Sequence, residues 1–155
     1  TGGTRAAGDF LEMDMDGFKS SFDKLWGYAN VIRHGTKNLD QNGSLVLVSG
    51  APARKTKPGM VTLSVVGGAV ENLVRAAALE MSPKRINIVS PGIIDTPLFP
   101  QEGEERENLI KNFTANHSIK RAGTPEEVAS AIIFLIENDF VNGTTVDVDG
   151  GWLLS

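Results

Sequence analysis

Residues 44–89 have the sequence SLVLVSGAPARKTKPGMVTLSVVGGAVENLVRAAALEMSPKRINIV. The short apolar run 44–49 is typical of a strand that is covered on both faces, and the run 86–89 predicts a second strand. Residues 50–59 contain two prolines and predict a loop, after which a helix is predicted as far as Met81. The apolar face of that helix comprises Val66, Val70, Leu73 and Ala77. A strand, a helix and a strand in this order predict a βαβ unit with parallel strands.

The chain on the N-terminal side of this unit predicts one long amphipathic helix. Residues 10–39 have apolar side chains spaced by three and four, with Asp14 or Asp16 as the expected N-cap. Those apolar positions are Phe18, Phe22, Leu25, Ala29 and Ile32. On the helix of the βαβ unit, Glu71 and Arg75 stand four residues apart, so we expect an ion pair on its outer surface.

The C-terminal part of the chain predicts two more helices and a final strand. A short helix is expected near residues 105–113. Thr124 and Glu127 form a capping-box pattern that predicts the start of a second helix. The run 144–148 is the expected last strand. Together these elements predict an α/β fold, in which this chain supplies part of a doubly wound parallel sheet.

Composition limits the classes of function. The chain has 155 residues, of which 41% are hydrophobic, so it can bury the core of one domain. Its net charge of −4, without a basic block, gives no support for nucleic-acid binding. It has no cysteine, so thiolate metal sites and disulfides are excluded and the cytoplasm is the expected location. His34 and His117 are far apart in the sequence, so we expect no metal site. No apolar run approaches a membrane span of about 18 residues.

Several segments, in order along the chain, resemble the short-chain dehydrogenase/reductase family. They are Phe10-Leu11-Glu12-Met13, residues 43–49, residues 69–80, Asn87-Ile88-Val89-Ser90-Pro91-Gly92 with Thr96-Pro97-Leu98, residues 123–128 and residues 148–151. The resemblance implies a Rossmann-like fold and NAD or NADP as cofactor. It also implies a small carbonyl or alcohol substrate, and assembly into a homodimer or homotetramer.

The resemblance covers only the second part of the family's domain. The family begins with a strand and a glycine-rich turn that binds the cofactor pyrophosphate, and no segment of this chain matches them. Thr1-Gly2-Gly3 instead resembles the motif that ends the family's fourth strand. We therefore expect residues 1–155 to be the C-terminal part of a single NAD(P)-binding domain, whose N-terminal mononucleotide-binding half is absent from this chain.

The proton-transfer residues of the family have no counterpart at the matching positions. The family uses a tyrosine, a lysine four residues later, a serine thirteen residues before the tyrosine, and an asparagine on the preceding helix. The matching residues here are Leu63, Gly67, Gly50 and Leu25. Leucine and glycine side chains cannot donate or accept a proton. Ser49, Lys55 and Lys57 are the candidate substitutes.

The cofactor site is predicted to survive at its nicotinamide end. By resemblance, Pro91 and Gly92 shape the loop, and the Ile94 backbone and the Thr96 hydroxyl bind the nicotinamide carboxamide. An alternative interpretation is that Pro91-Gly92 merely ends a strand. Two functions stay open: an NAD(P)-dependent oxidoreductase with an atypical or missing proton relay, or a catalytically silent relative that binds a cofactor or other subunits.

Overall fold

Within the described part of the chain, three parallel strands form the sheet that the βαβ pattern predicts. The structure, a computed structural model, describes residues 6–155. The strands are β1 (Ser44–Val48), β2 (Arg85–Pro91) and β3 (Thr145–Val148), in the order β1-β2-β3. Both strand pairs are parallel, which confirms the predicted βαβ unit. The expectation about Thr1-Gly2-Gly3 lies outside the described residues.

The prediction of one continuous helix over residues 10–39 is wrong, because the segment is divided into short helical pieces. The segment comprises a 3₁₀ turn (Phe10–Glu12), α1 (Met15–Ser20), α2 (Asp23–Asn30), a π turn (Val31–Gly35) and a 3₁₀ turn (Thr36–Asn38). Asp14 is the N-cap of α1, as predicted. The hydroxyls of Ser20 and Ser21 both donate to the Gly17 carbonyl, at 2.9 and 2.8 Å. Because these bonds compete with the backbone ladder, the helix is interrupted after Ser20.

Helix α3 (Val61–Glu80) connects β1 to β2 and supplies much of the core. The buried core cluster consists of Leu47, Val70, Val74, Ala78, Met81, Ile86 and Ile88. Within residues 6–155, α3 is the one helix whose length and apolar composition would suit a membrane span. Its inner face is packed in this core, as expected for a helix that covers a sheet.

Two further helices follow β2, namely α4 (Gly103–Thr114) and α5 (Pro125–Glu137). The Thr124 hydroxyl accepts from the Glu127 N–H and the Glu127 carboxylate accepts from the Thr124 N–H, so the predicted capping box is confirmed. The Arg85 side chain donates to the Leu135 carbonyl of α5 at 2.8 Å, whereas the next residue, Ile86, packs with the α3 core. Because neighbouring side chains on a strand point to opposite faces, α5 and α3 cover opposite faces of the sheet.

The predicted Glu71–Arg75 ion pair forms, but its glutamate is buried and not on the outer surface. Glu71 is 2% exposed, and its Oε2 lies 3.4 Å from the Arg54 Nε and 3.9 Å from an Arg75 guanidinium nitrogen. Arg54 follows the 3₁₀ turn Ala51–Ala53 of the loop after β1, which packs against α3. Tertiary packing of this loop therefore buries a glutamate that the helical spacing alone places in solvent.

Candidate functional site

The loops that follow the three strands meet at one edge of the sheet. Ser49 N–H donates to the Val89 carbonyl at 3.0 Å, and Gly92 N–H donates to the Val148 carbonyl at 3.0 Å, so the three strand ends are in register. Ligands of open α/β sheets bind at the carboxyl ends of the strands. The residues that the sequence analysis proposed for the site lie on or next to these loops, with the exception of Leu25.

Gly92 is fixed by close packing against the end of β3. A Cβ on this residue would lie 2.8 Å from the Asp149 Cα and 2.9 Å from the Asp149 carbonyl oxygen. Both atoms belong to backbone, so they cannot move aside for a side chain. Packing at the strand end is thus sufficient to require glycine here, and the cofactor role of Pro91 and Gly92 stays a prediction.

The Ile94 backbone has the free polar groups that a carboxamide needs. Ile94 pairs with Gly123 in an isolated parallel bridge, in which Gly123 N–H donates to the Ile93 carbonyl and Asp95 N–H donates to the Gly123 carbonyl, both at 2.9 Å. This bridge uses the neighbours of Ile94. Within the described part of the chain, the N–H and carbonyl of Ile94 make no hydrogen bond, and neither does the Thr96 hydroxyl. One donor, one acceptor and one hydroxyl therefore fit a nicotinamide carboxamide.

Gly67, the position predicted to match the family's lysine, is closed to a side chain by packing. Gly67 is buried on α3, and a Cβ there would lie 2.8 Å from the Ala53 Cβ and 3.2 Å from the Ala53 Cα. Real Cβ atoms do not approach other carbon atoms so closely. The turn Ala51–Ala53 thus occupies the space in which a side chain at position 67 would begin.

Gly50, Leu63 and Leu25 are the other three positions predicted to match the proton relay of the family. They differ in how closely neighbouring atoms pack around them. Gly50 has an extended backbone with φ of 168°, and a Cβ there would meet nothing closer than the Pro52 Cδ at 3.6 Å. A small side chain would therefore fit at position 50. Leu63 is half-buried in the first turn of α3. Leu25 packs against the core cluster, so its position contributes to the hydrophobic core.

The Ser49 hydroxyl lies beside Gly67 and is engaged with helix backbone. Its Oγ donates to the Gly67 carbonyl at 3.4 Å and would be 3.5 Å from a Cβ at position 67. Within residues 6–155, Ser49 contacts one of the four positions matched to the proton relay, whereas Lys55 and Lys57 contact Trp152. A long hydrogen bond of this kind leaves the hydroxyl able to change partner.

Lys55 and Lys57 are directed to the C-terminal segment of the chain. Lys55 Nζ donates to the Trp152 carbonyl at 2.9 Å and to the Ser155 Oγ at 3.3 Å. Lys57 Nζ lies 5.9 Å from the centroid of the Trp152 ring, within cation–π range. Either lysine would have to leave these partners to reach a substrate, so their role in proton transfer stays a prediction.

The Trp152 ring also stacks on His117, a residue that the sequence did not connect with the site. Their ring centroids are 5.8 Å apart, with the planes at 20°. Burial lowers the pKa of His117; nearby Asp149 opposes this shift, while Lys57 and Lys55 reinforce it. The neutral form of the imidazole is therefore favoured. Within residues 6–155, no group of three or more His, Asp or Glu side chains is placed to share a metal ion.

Two further side chains at this edge were not predicted from the sequence. The single tyrosine, Tyr28 on α2, donates its hydroxyl to the Val48 carbonyl at 3.0 Å, and burial raises the pKa of Tyr28.

Arg54 forms a bidentate ion pair with Asp147 on β3, in addition to its contact with Glu71. The loop after β1 is thereby joined to both α3 and β3. The ARKTK run was a sequence signal for a charged loop, but its partners are remote in sequence.

Comparisons with known proteins relate this chain to a large enzyme family. The family model described as enoyl-(acyl carrier protein) reductase matches residues 1–153. A short-chain dehydrogenase/reductase, ATR9 of Stachybotrys chlorohalonatus, is 34% identical over 117 residues, which cover 76% of this chain and 46% of that protein. NADPH-dependent aldehyde reductase 1 of Arabidopsis thaliana chloroplasts is 32% identical over 132 residues, covering 82% of this chain and 45% of that protein. The chain spans less than half the length of these two relatives.

The fold is similarly close to solved structures. The crystal structure of a small-chain dehydrogenase in complex with NADPH superposes with a TM-score of 0.92 at 30% identity, covering 100% of this chain and 72% of that one. The crystal structure of 3-hydroxyacyl-CoA dehydrogenase type-2 from Mycobacterium avium gives a TM-score of 0.87 at 31% identity, covering 97% and 64%.

Proposed function

The chain belongs to the short-chain dehydrogenase/reductase family, and on that premise we propose that the full-length protein is an NAD(P)-dependent oxidoreductase without the family's tyrosine–lysine relay. Its substrate class is a small carbonyl compound or the corresponding alcohol. The observation that carries the proposal is the loop after β2. There the Ile94 backbone groups and the Thr96 hydroxyl are free to bind a carboxamide, while the lysine position at Gly67 is closed.

The residues present fit the nicotinamide end of the cofactor. Ile94 would offer its N–H and carbonyl to the carboxamide, and Thr96 its hydroxyl. The dinucleotide, when bound, supplies or accepts the hydride. Gly67 offers no side chain to the nicotinamide ribose, so we expect weaker binding than in relatives that have a lysine there. Gly92 keeps the loop against the end of β3 and so fixes the position of these groups.

Proton exchange with the substrate must use a group other than the usual tyrosine. Ser49 is the candidate nearest to the closed relay position, because its Oγ already contacts the Gly67 carbonyl. Lys55 and Lys57 lie on the loop above α3, and either could act after release from Trp152. A hydroxyl or an ammonium group at this edge can donate a proton to a substrate oxygen during its reduction.

The closure at Gly67 also favours a second function, that of a catalytically silent relative. If no side chain exchanges a proton with the substrate, the protein would act as a regulatory or structural module that binds NAD(P) or other subunits. The position matching the asparagine is likewise used by the core, since Leu25 packs against it. A fold alone does not carry an activity when its site residues differ.

Cofactor binding and turnover separate the two functions. The full-length protein would be titrated with NADH and NADPH by calorimetry, then assayed with a panel of aldehydes, ketones and alcohols at the nicotinamide absorbance band. Binding with turnover supports the oxidoreductase, and replacement of Ser49, Lys55 or Lys57 would then identify the proton donor. Binding without turnover supports the silent relative. Absence of binding to both cofactors would contradict the oxidoreductase and would leave, of the silent relative, only a module that binds other subunits.

Assembly into a homodimer or homotetramer is supported by exposed apolar side chains on α2 and α3. Trp26 is 66% exposed, Leu79 is 83% exposed and Val65 is 43% exposed. Apolar side chains exposed on adjacent helices are a frequent feature of subunit interfaces. Light scattering of the full-length protein and of a Leu79→Glu variant tests this proposal. A monomeric wild-type protein would contradict it.

A further inference from the structure

The segment between β2 and α4 is held by one arginine side chain. Arg106 lies in the first turn of α4, and its side chain is 23% exposed. Its Nε donates to the Asp95 Oδ1 at 3.1 Å, and one terminal nitrogen contacts the same oxygen. That nitrogen also donates to the Thr96 carbonyl at 2.9 Å. The other terminal nitrogen contacts the Phe99 carbonyl and, at 3.4 Å, the Gln101 carbonyl.

This pattern of bonds depends on the shape of a guanidinium group. Arginine presents five N–H donors in one rigid plane, which allows Arg106 to reach a carboxylate and three backbone carbonyls at once. A lysine has one nitrogen on a flexible chain and cannot reach the same set. The side chain therefore acts as a fixed support for residues 95–101.

The supported segment contains Thr96 and directly follows Ile94, the two residues proposed to bind nicotinamide. On the side away from Arg106, Asp95 N–H donates to the Gly123 carbonyl at 2.9 Å. The backbone is thus held from two sides at Asp95, next to Ile94 and Thr96. Groups that are already fixed in their bound arrangement lose less conformational entropy when a ligand binds. Free N–H, carbonyl and hydroxyl groups on a fixed backbone suit a site that is formed before the cofactor arrives.

We infer that Arg106 is a positioning residue for the cofactor. It fixes residues 95–101 so that Ile94 and Thr96 present their polar groups to the nicotinamide, and it acts through the backbone and the Asp95 carboxylate without touching the cofactor. The same residues wall a cavity of about 500 Å³ beside the loop, so loss of Arg106 would also change the shape of that cavity. The inference rests on the proposed function, because it assumes that the site binds NAD(P).

The test compares Arg106→Met and Arg106→Lys in the full-length protein with a matched control, Arg33→Met. Arg33 is exposed in the segment Val31–Gly35, remote in sequence from the loop. Calorimetry would give the Kd for NADH and NADPH. Hydrogen exchange of the cofactor-free protein would follow the amides of Asp95 and Phe99, which donate to the Gly123 and Thr96 carbonyls. We expect a Kd at least tenfold weaker and faster exchange of both amides in each Arg106 variant, with Arg33→Met unchanged.

Three results would overturn this role of Arg106. An affinity within twofold of wild type would show that the arginine does not position the site. A weaker affinity with unchanged amide exchange would point to direct contact with the cofactor. Recovery of wild-type affinity by Arg106→Lys would show that only the charge matters. If Arg106→Met does not fold, Asp95→Asn removes the carboxylate partner from the other side and is expected to speed exchange of the same amides.

Failure of the proposed function would give a different result. If the wild-type protein binds neither NADH nor NADPH, the cofactor proposal fails, while the exchange comparison still decides whether Arg106 fixes residues 95–101.

Discussion

A Cβ at Gly67 would lie 2.8 Å from the Cβ of Ala53, so the turn after β1 fills the space at the position that the resemblance assigns to the family's lysine. Ser49 lines the same space, since its Oγ contacts the Gly67 carbonyl. The glycine at this position is thus accompanied by a close contact between loop and helix. A single reverse substitution cannot rebuild the relay in this chain.

Gly67→Ala is expected to destabilise the protein, whereas Gly68→Ala on the same helix is not. A methyl group at position 67 meets Ala53, and overpacking of this kind costs about 1–3 kcal/mol. A Cβ at position 68 meets only the Ala53 carbonyl, at 3.8 Å, so alanine there should gain about 0.5–1 kcal/mol from its helix propensity. Urea unfolding of the two variants measures the difference.

The contact with Ala53 can be isolated by a double-mutant cycle. In an Ala53→Gly background, Gly67→Ala should cost less than in the wild type, because the Cβ that it meets has been removed. Equal costs in the two backgrounds would show that the Gly67–Ala53 contact is not the cause.

Restoring the family residues should not restore the family's chemistry. The double variant Leu63→Tyr with Gly67→Lys is expected to unfold at lower urea concentration than wild type and to show no new carbonyl reduction. Gly50→Ser alone should fold normally, because the nearest atom to its Cβ is 3.6 Å away. Turnover with NADPH and an aldehyde panel checks this prediction. A stable double variant with increased turnover would mean that the loop after β1 moves aside for a lysine.

His117 is expected to make stability depend on pH below its ordinary pKa of 6.5. Burial lowers the pKa of His117 in the folded protein. As pH falls below 6.5, the unfolded chain takes up a proton that the folded state resists, so the free energy of unfolding decreases. His117→Phe keeps an aromatic ring against Trp152 and should flatten the dependence between about pH 7.5 and 5.5. Urea unfolding at these two pH values measures the change in the free energy of unfolding. His34→Gln, at an exposed histidine, serves as control. A wild-type slope in His117→Phe would rule out this histidine as the source.

Glu127 is expected to stabilise the start of α5 at neutral pH and to lose this effect in acid. The pKa of Glu127 is lowered from 4.5 to about 2. The main cause is the hydrogen bond that Arg121 donates to its carboxylate, and the second is the hydrogen bond from the Thr124 N–H. The contribution is complete above pH 4.5 and is lost as pH falls towards 2. Glu127→Gln should therefore be less stable than wild type at neutral pH, and the difference should shrink in acid. Glu126→Gln changes the neighbouring exposed carboxylate and serves as control. A constant difference at all pH values would contradict this linkage.

The sequence predicted what depends on neighbours close along the chain. The apolar runs of β1 and β2, the capping box at Thr124 and the N-cap at Asp14 all have their determinants within a few residues. The interruption after Ser20 arose from two serine hydroxyls that compete for the Gly17 carbonyl. Both hydroxyls are local, but periodicity of apolar residues does not detect such bonds.

The contacts of the site were not predictable because their partners are distant in sequence. Glu71 was expected in solvent, yet Arg54 from the loop after β1 covers it. Lys55 binds the carbonyl of Trp152, which lies 97 residues further on. The resemblance to the family could identify Gly67 as a changed position. Only the packing of Ala53 shows that the position is closed.

The loop after β2 is expected to recognise nicotinamide although Gly67, the position predicted to match the family's lysine, is closed to a side chain. Calorimetry of the full-length protein with NADH and ADP-ribose, and with NADPH and 2′-phospho-ADP-ribose, measures the contribution of the nicotinamide end directly. We expect the preferred dinucleotide to bind at least tenfold more tightly than its counterpart without nicotinamide. Equal affinities within each pair, or no binding of either dinucleotide, would contradict the claim.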